Sequence, residues 1–279
     1  MGEILDGRRV ASELESSLVK EIKRLKKSKI TPNLAIIETV KNSSNESYTN
    51  NLRKKFKELK LKTELHSSNA DKKHLVDLIL ELNEDKEVHG ILVQSPLPKE
   101  LNQYDIYDLI EPRKDVDGVN TLNARGLNYG REFFQPCTPK GILSLLDSYK
   151  ISVENKKVVI LGRSEIVGAP LRKMMYYLGA DVESCNSKTQ YLEDKTRAAD
   201  ILISSIGKPY FITKDMIKDG AVVIDVGTNY IKNCLLGDVN FEEVKPKASF
   251  ITPVPGGVGP MTVISLAENL VYAATINKL

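Results

Sequence analysis

The segment KVVILGRSEIVGAP, residues 157–170, joins a short apolar run to a turn of small residues and then to a helical stretch. Such a turn suits phosphate chemistry. Backbone N–H groups at the start of a helix attract an anion, and small side chains let the backbone approach it. The usual dinucleotide fingerprint is G-x-G-x-x-G. Here Gly162 opens the turn, Ser164 stands at the second glycine position and Gly168 falls one residue late. Read alone, the motif fits a tight turn as well as a nucleotide site. The end of the next strand narrows the chemistry. A carboxylate about 20 residues on would hold the ribose hydroxyls of NAD. This chain instead has Asn186, Ser187, Lys188 and Thr189 there, with Arg163 inside the turn. Hydroxyls and a cation without a carboxylate suit a 2′-phosphate, so the expected cofactor is NADP. A second glycine-rich stretch, TPVPGGVGPMT (252–262), is either a loop of turn residues or a place where backbone closely approaches a ligand.

These residues need elements to hold them. Apolar positions at Val10, Leu14, Leu18 and Ile22 predict a helix over 6–25. LAIIETV (34–40) reads as a buried strand, 46–59 as a helix, 62–66 as a strand, 73–83 as a helix and GILVQ (90–94) as a third strand. A second α/β series begins with the strand at 157–161 and continues through a helix at 167–178. Strands at 181–185, 201–205, 221–226 and 250–252 follow, and a long helix runs from Pro260 to about Ile276. Strands alternating with helices imply right-handed crossovers and parallel sheets. The segment from Pro112 to Thr138 lacks a clean period and reads as the crossing between domains, with a helix at 139–149 after it.

Composition excludes several classes. Forty basic residues face 37 acidic ones, for a net charge of +3 over 279 residues, which gives no reason to expect a nucleic-acid partner. Apolar runs such as 221–226 are too short to cross a membrane, and the N-terminus carries acids where a secretory signal has its apolar core. Cys137, Cys185 and Cys234 are odd in number and form no CxxC pair, so neither a disulfide framework nor a metal site is expected and a cytoplasmic location is.

Seven segments in order resemble one family, the methylenetetrahydrofolate dehydrogenase/cyclohydrolases: LVQSPLP (92–98), KDVDG (114–118), PCTPKG (136–141), GRSEIVGAP (162–170), IGKP (206–209), VIDVGTN (223–229) and TPVPGGVGPMT (252–262). The resemblance spans essentially the whole chain. It implies two α/β domains, the second a Rossmann-like dinucleotide-binding domain, with an active-site cleft between them. The expected boundaries are 1–118 plus 257–279 for the folate-binding domain and 119–256 for the NADP-binding domain. The implied reaction, part of one-carbon metabolism, moves a hydride from the bridge between N5 and N10 of 5,10-methylenetetrahydrofolate to the nicotinamide. The adjacent nitrogen lone pair drives that departure, so catalysis is mostly orientation and electrostatics. On this resemblance Asp117 binds the pterin edge, Gln94 lies beside the reacting carbon, and Tyr48 packs against the folate. Pro255, Gly256 and Gly257 line the substrate, while Gly162, Arg163, Ser164, Gly168, Ser187 and Thr228 hold the cofactor. Members are commonly homodimers. The same residues also have plainer readings: an acid before glycine is often a turn residue, and a tyrosine at helical spacing is often packing.

The chain departs from the family at one chemically loaded place. The family's helix reads Tyr-x-x-x-Lys, which puts the lysine one turn beyond the tyrosine. Here Leu52 follows Tyr48, and Asn45 replaces the family serine. Lys54 and Lys55 lie about 200° and 300° round the helix from position 52, so neither replaces it simply. Asn120 and Asn186 stand where histidines are found, and Thr228 replaces an aliphatic residue. Hydrolysis of the methenyl cation needs proton transfers that an amine assists and a leucine does not. Dehydrogenase activity is therefore expected, with the cyclohydrolase step in question. The alternatives are an ordinary bifunctional enzyme with Lys54 or another cation reaching the site, a catalytically silent folate- and NADP-binding protein, and an NADP oxidoreductase acting on a hydroxy acid. The last lacks a base, since His66, His74 and His89 all lie outside the matched segments.

Overall fold

A computed structural model describes residues 2–40, 43–68, 71–231 and 234–277. The strands are β1 (Glu3–Ile4), β2 (Asn33–Glu38), β3 (Lys62–Ser67), β4 (Gly90–Val93), β5 (Lys157–Leu161) and β6 (Asp181–Cys185). They continue with β7 (Ile201–Ser204), β8 (Val222–Asp225), β9 (Asn229–Ile231), β10 (Cys234–Leu236) and β11 (Phe250–Ile251). The α-helices are α1 (Gly7–Lys27), α2 (Ser43–Glu58), α3 (Lys72–Glu84), α4 (Gln103–Tyr107) and α5 (Thr121–Gly126). After them come α6 (Cys137–Ser148), α7 (Gly168–Tyr177), α8 (Leu192–Arg197), α9 (Phe241–Val244) and α10 (Val258–Ile276). No helix among the described residues is long and apolar enough to cross a membrane.

The chain divides into two compact α/β units. One comprises Met1–Ser12 and Thr138–Thr262, the other Glu13–Cys137 and Val263–Leu279. These boundaries differ from the sequence-based ones. Residues 1–12 join the first unit because Glu3 and Ile4 pair in parallel with Phe250 and Ile251. A two-residue strand is too short to show a period. Residues 119–137 fold with the second unit, so the segment from Pro112 onward is not a free crossing. Its anchor is Asp115, whose fully buried carboxylate accepts from the backbone N–H groups of Val119 and Asn120 and from Asn123 Nδ2.

In the first unit six strands form a parallel sheet in the order β1-β11-β8-β7-β5-β6. Strands buried on both faces read as continuous apolar runs, and Val158–Leu161 and Ile201–Leu202 are almost wholly inaccessible. Strand order reverses between β5 and β7: the chain goes outward from β5 to β6, then returns to the other side of β5. In open α/β sheets ligands bind outside the carboxyl ends of the strands at such a reversal.

In the second unit β3-β2-β4 form a parallel sheet with β2 central. Helix α2 buries Thr49, Leu52 and Phe56, spaced to share one face, while Arg53 and Lys54 are exposed.

Candidate active site

The first unit places the phosphate-type turn at the carboxyl end of β5 and the loop 206–208 just beyond that of β7, on either side of the strand-order reversal. Gly162 sits at φ +115°, and a side chain there would meet Ser205 Oγ at 2.5 Å. Gly168 is equally constrained, since a Cβ would lie 2.3 Å from the carbonyl oxygen of Gly162. The late glycine thus lets the turn close on itself. Ser164 Oγ accepts from the N–H groups of Val167 and Gly168 at 3.3 and 3.4 Å, which holds the turn leading into α7.

Arg163 reaches across to the next strand, where its Nε and Nη2 both donate to the carbonyl oxygen of Ser184 at 3.1 and 2.7 Å. Beyond β6, Asn186 Oδ1 accepts from the Lys188 N–H, which shapes a turn with Ser187 and Lys188 exposed. An exposed guanidinium fixed at a strand end, a hydroxyl, an ammonium and no carboxylate in that turn fit the 2′-phosphate of NADP.

The loop 206–208 has an organiser that sequence reading missed. Asp238, fully buried, accepts from the N–H groups of Ile206, Gly207 and Lys208, from Ser204 Oγ and from Asn229 Nδ2. Asp225 in turn accepts from the N–H groups of Gly227, Asp238 and Val239. Burial raises the Asp225 carboxyl to about 6, against those stabilising bonds. A side chain at Gly237 would come 1.9 Å from Asp225 Oδ2, and one at Gly227 would come 2.4 Å from Asp238 Oδ1. The glycines of these turns make room for the two carboxylates. The signal in the sequence was the acid pair Asp225 and Asp238, each within two residues of a glycine, across a hairpin too short to read. Thr228 lies exposed between Gly227 and Asn229.

Pro255–Gly257 also lie in this unit, in the turn before α10. Gly256 has φ +114°, and a Cβ at Gly7 would fall 1.8 Å from the carbonyl oxygen of Gly257. The close approach these glycines permit is first of all to the protein's own backbone.

The second unit brings Tyr48, Gln94 and Asp117 into one neighbourhood. In KDVDG the other charged residues are spent on structure. Lys114 Nζ donates to the carbonyl oxygens of Leu82 and Asp85, at the end of α3, where helix carbonyls favour a cation. Asp115, raised to about 7 by burial, holds the 119–123 turn. Asn120, at the histidine position, is a cap: its Oδ1 accepts from the Leu122 N–H while its Nδ2 donates to the carbonyl oxygens of Tyr107 and Ile110. Asp117 is the half-buried charged residue of this strip. Gly118, at φ +72°, lets this turn pack against Pro136, whose nitrogen would lie 2.7 Å from a Cβ. Asn269 Nδ2 ties the strip down through the carbonyl oxygens of Val116 and Gln135.

Asp117 keeps part of its surface open, although protein atoms crowd its carboxylate and raise its pKa; a hydrogen bond from the Cys137 thiol opposes the rise. Tyr48 behaves alike. Its side chain is 37% accessible, yet crowding first, then the nearby charges of Asp117 and Cys137, push its phenol well up. Tyr107, which sequence reading did not single out, is buried and pushed up to about 12 by desolvation and by Asp117, against a hydrogen bond with Ser95. Gln94 follows β4 and reaches α2, where its Nε2 donates to Thr49 Oγ1 at 2.5 Å.

Leu52 is fully buried on this helix face. Lys54 is exposed, and Lys55 pairs with Glu15 and Glu58. Asn45, at the serine position, donates from Nδ2 to the carbonyl oxygen of Val40.

Two family models cover the chain. The catalytic domain of tetrahydrofolate dehydrogenase/cyclohydrolase matches residues 5–117, and the NAD(P)-binding domain matches residues 136–278. The chain belongs to the tetrahydrofolate dehydrogenase/cyclohydrolase family. The bifunctional protein FolD of Thermodesulfovibrio yellowstonii is 47% identical over 99% of this chain and 98% of its own length. The bifunctional FolD of Campylobacter jejuni, solved by crystallography, superposes with a TM-score of 0.94 at 41% identity and full coverage of both chains. The Trypanosoma brucei member of this family, complexed with NADP and an inhibitor, gives a TM-score of 0.94 at 31% identity, covering 99% of this chain and 98% of its own.

Proposed function

We propose that this chain oxidises 5,10-methylenetetrahydrofolate to 5,10-methenyltetrahydrofolate with NADP, and that Leu52 leaves hydrolysis of the product without its amine. The observation that carries the reading is the recessed, reachable Asp117 carboxylate, flanked by Tyr48 and Tyr107, in a strip whose other charged groups are committed to structure. A carboxylate there accepts two N–H bonds from an amino-pyrimidinone edge. Tyr48, with an open ring, packs on the folate, and Gln94 stands beside the reacting carbon. Bound NADP supplies the hydride acceptor. Arg163, Ser187 and Lys188 hold its 2′-phosphate, Gly162, Ser164 and Gly168 shape the turn for its pyrophosphate, and Thr228 and the 206–208 loop border it. Pro255, Gly256 and Gly257 complete the substrate contacts. The folate-binding domain corresponds to the unit containing Asp117, and the NADP-binding domain to the unit with the six-stranded sheet. The active protein is a cytoplasmic homodimer.

A second reading is the complete bifunctional enzyme, favoured by the name of the FolD relative at 47% identity. The exposed position of Lys54 and the ion pairs of Lys55 weigh against either acting for the missing lysine. The test is conversion of methylenetetrahydrofolate in the presence of NADP, with NADPH and the methenyl product followed separately. A catalytically silent binding protein forms neither.

A further inference from the structure

Gln94 is held by its backbone on two sides. Its N–H donates to the carbonyl oxygen of Ile37 at 3.0 Å, and its own carbonyl oxygen accepts from Thr39 Oγ1 at 3.0 Å. Its side chain is a different matter. The residue is 4% accessible, its Nε2 donates to Thr49 Oγ1, and its Oε1 is buried with no partner among the described residues. A buried acceptor left without a donor costs on the order of 1–3 kcal/mol, so its retention asks for an occupant. Leu52, one turn on from Thr49 and fully buried, offers no donor. The terminal amide is thus oriented by one contact, and that contact leaves the carbonyl end free.

We propose that Thr49 is a positioning residue for hydride transfer: by accepting from Nε2 it turns Gln94 Oε1 toward the bound one-carbon folate. This rests on the dehydrogenase reading above. In that step the C–H bond of the one-carbon bridge breaks and both its electrons leave with the hydride for the oxidised nicotinamide. The folate is oxidised by two electrons, its positive charge is shared by N5 and N10, and no proton moves. A fixed carbonyl dipole beside that carbon stabilises the charge as it develops, without reorganising at the moment of reaction.

The experiment compares Thr49→Val, nearly isosteric and without a hydroxyl, with Thr49→Ser, which retains it. Single-turnover hydride transfer is measured by stopped flow, together with folate KM and a titration of cofactor-free protein with tetrahydrofolate. Thr49→Val slows hydride transfer about tenfold, the rate equivalent of one buried hydrogen bond, and leaves KM and tetrahydrofolate affinity within about twofold. Thr49→Ser restores the rate to within about threefold of wild type. An unchanged rate in Thr49→Val, a Thr49→Ser variant as slow as Thr49→Val, or a loss confined to folate affinity each overturns the proposal while the dehydrogenase reading stands. A wild-type protein that forms no NADPH overturns both.

Discussion

Replacing Asp238 with asparagine tests whether this carboxylate organises the loop beyond β7. It accepts five hydrogen bonds, two on Oδ1 (from the Lys208 N–H and Asn229 Nδ2) and three on Oδ2 (from Ser204 Oγ and the N–H groups of Ile206 and Gly207). An asparagine retains one acceptor oxygen and places an NH2 group against the donors that met the other. At least two buried or part-buried donors lose their partner, at about 1–3 kcal/mol each, so the cost is about 2–6 kcal/mol. For a unit of this size about 1 kcal/mol corresponds to ~2–4 °C, so the melting temperature falls by roughly 10 °C. The assay is thermal unfolding by circular dichroism, with NADP affinity measured by fluorescence below the transition. NADP binding weakens, because the 206–208 loop loses its scaffold, and folate binding at the other unit does not. A variant that melts within about 2 °C of wild type and binds NADP normally refutes the reasoning.

Arg163→Ala removes the guanidinium fixed to the Ser184 carbonyl. Because that group is exposed, solvent screening holds the loss of NADP affinity to about tenfold, with NAD little changed; equal losses for both cofactors contradict the 2′-phosphate assignment. Asp117→Ala raises the folate requirement at least tenfold and leaves NADP binding unchanged; normal folate affinity returns this residue to a turn role. Asp115, raised to about 7 when folded, binds its proton more tightly in the folded than in the unfolded state. Its contribution to stability is therefore greatest below the unfolded carboxyl value, near 4, and declines as pH rises toward 7. The stability difference between wild type and Asp115→Asn, measured by denaturant unfolding, shrinks across that window, and a difference that grows instead refutes the shift.

Much of the fold was legible because its signals are local and periodic. The buried strands 157–161 and 201–204 are apolar runs, and α2 shows its face through Thr49, Leu52 and Phe56. What escaped was carried by long-range contacts. Nothing in Glu3 and Ile4 announces a strand that pairs with residues some 250 positions away. Asp238, beside Gly237, looks like a surface turn acid until the backbone N–H groups gather round it. Asn120 and Asn123 stabilise a segment that reads as loop because their bonds are to Asp115 and to distant carbonyls. The candidate site was legible through its resemblance to a family and through residue chemistry. Tyr107 was not, since a tyrosine in a short polar helix carries no mark of the carboxylate it faces.

The fate of the methenyl product separates a dehydrogenase from a bifunctional enzyme. Wild-type protein is mixed with methylenetetrahydrofolate and NADP, and NADPH and methenyltetrahydrofolate are followed together, with the spontaneous hydrolysis rate measured in the same buffer without enzyme. With Leu52 at the lysine position the two products rise in step, hydrolysis stays at the spontaneous rate, and Leu52→Lys lifts enzymatic hydrolysis above it. NADPH formation with hydrolysis well above background in the wild type, unchanged at Leu52→Lys and lost at Lys54→Ala, would assign the missing amine to Lys54 and make the enzyme bifunctional.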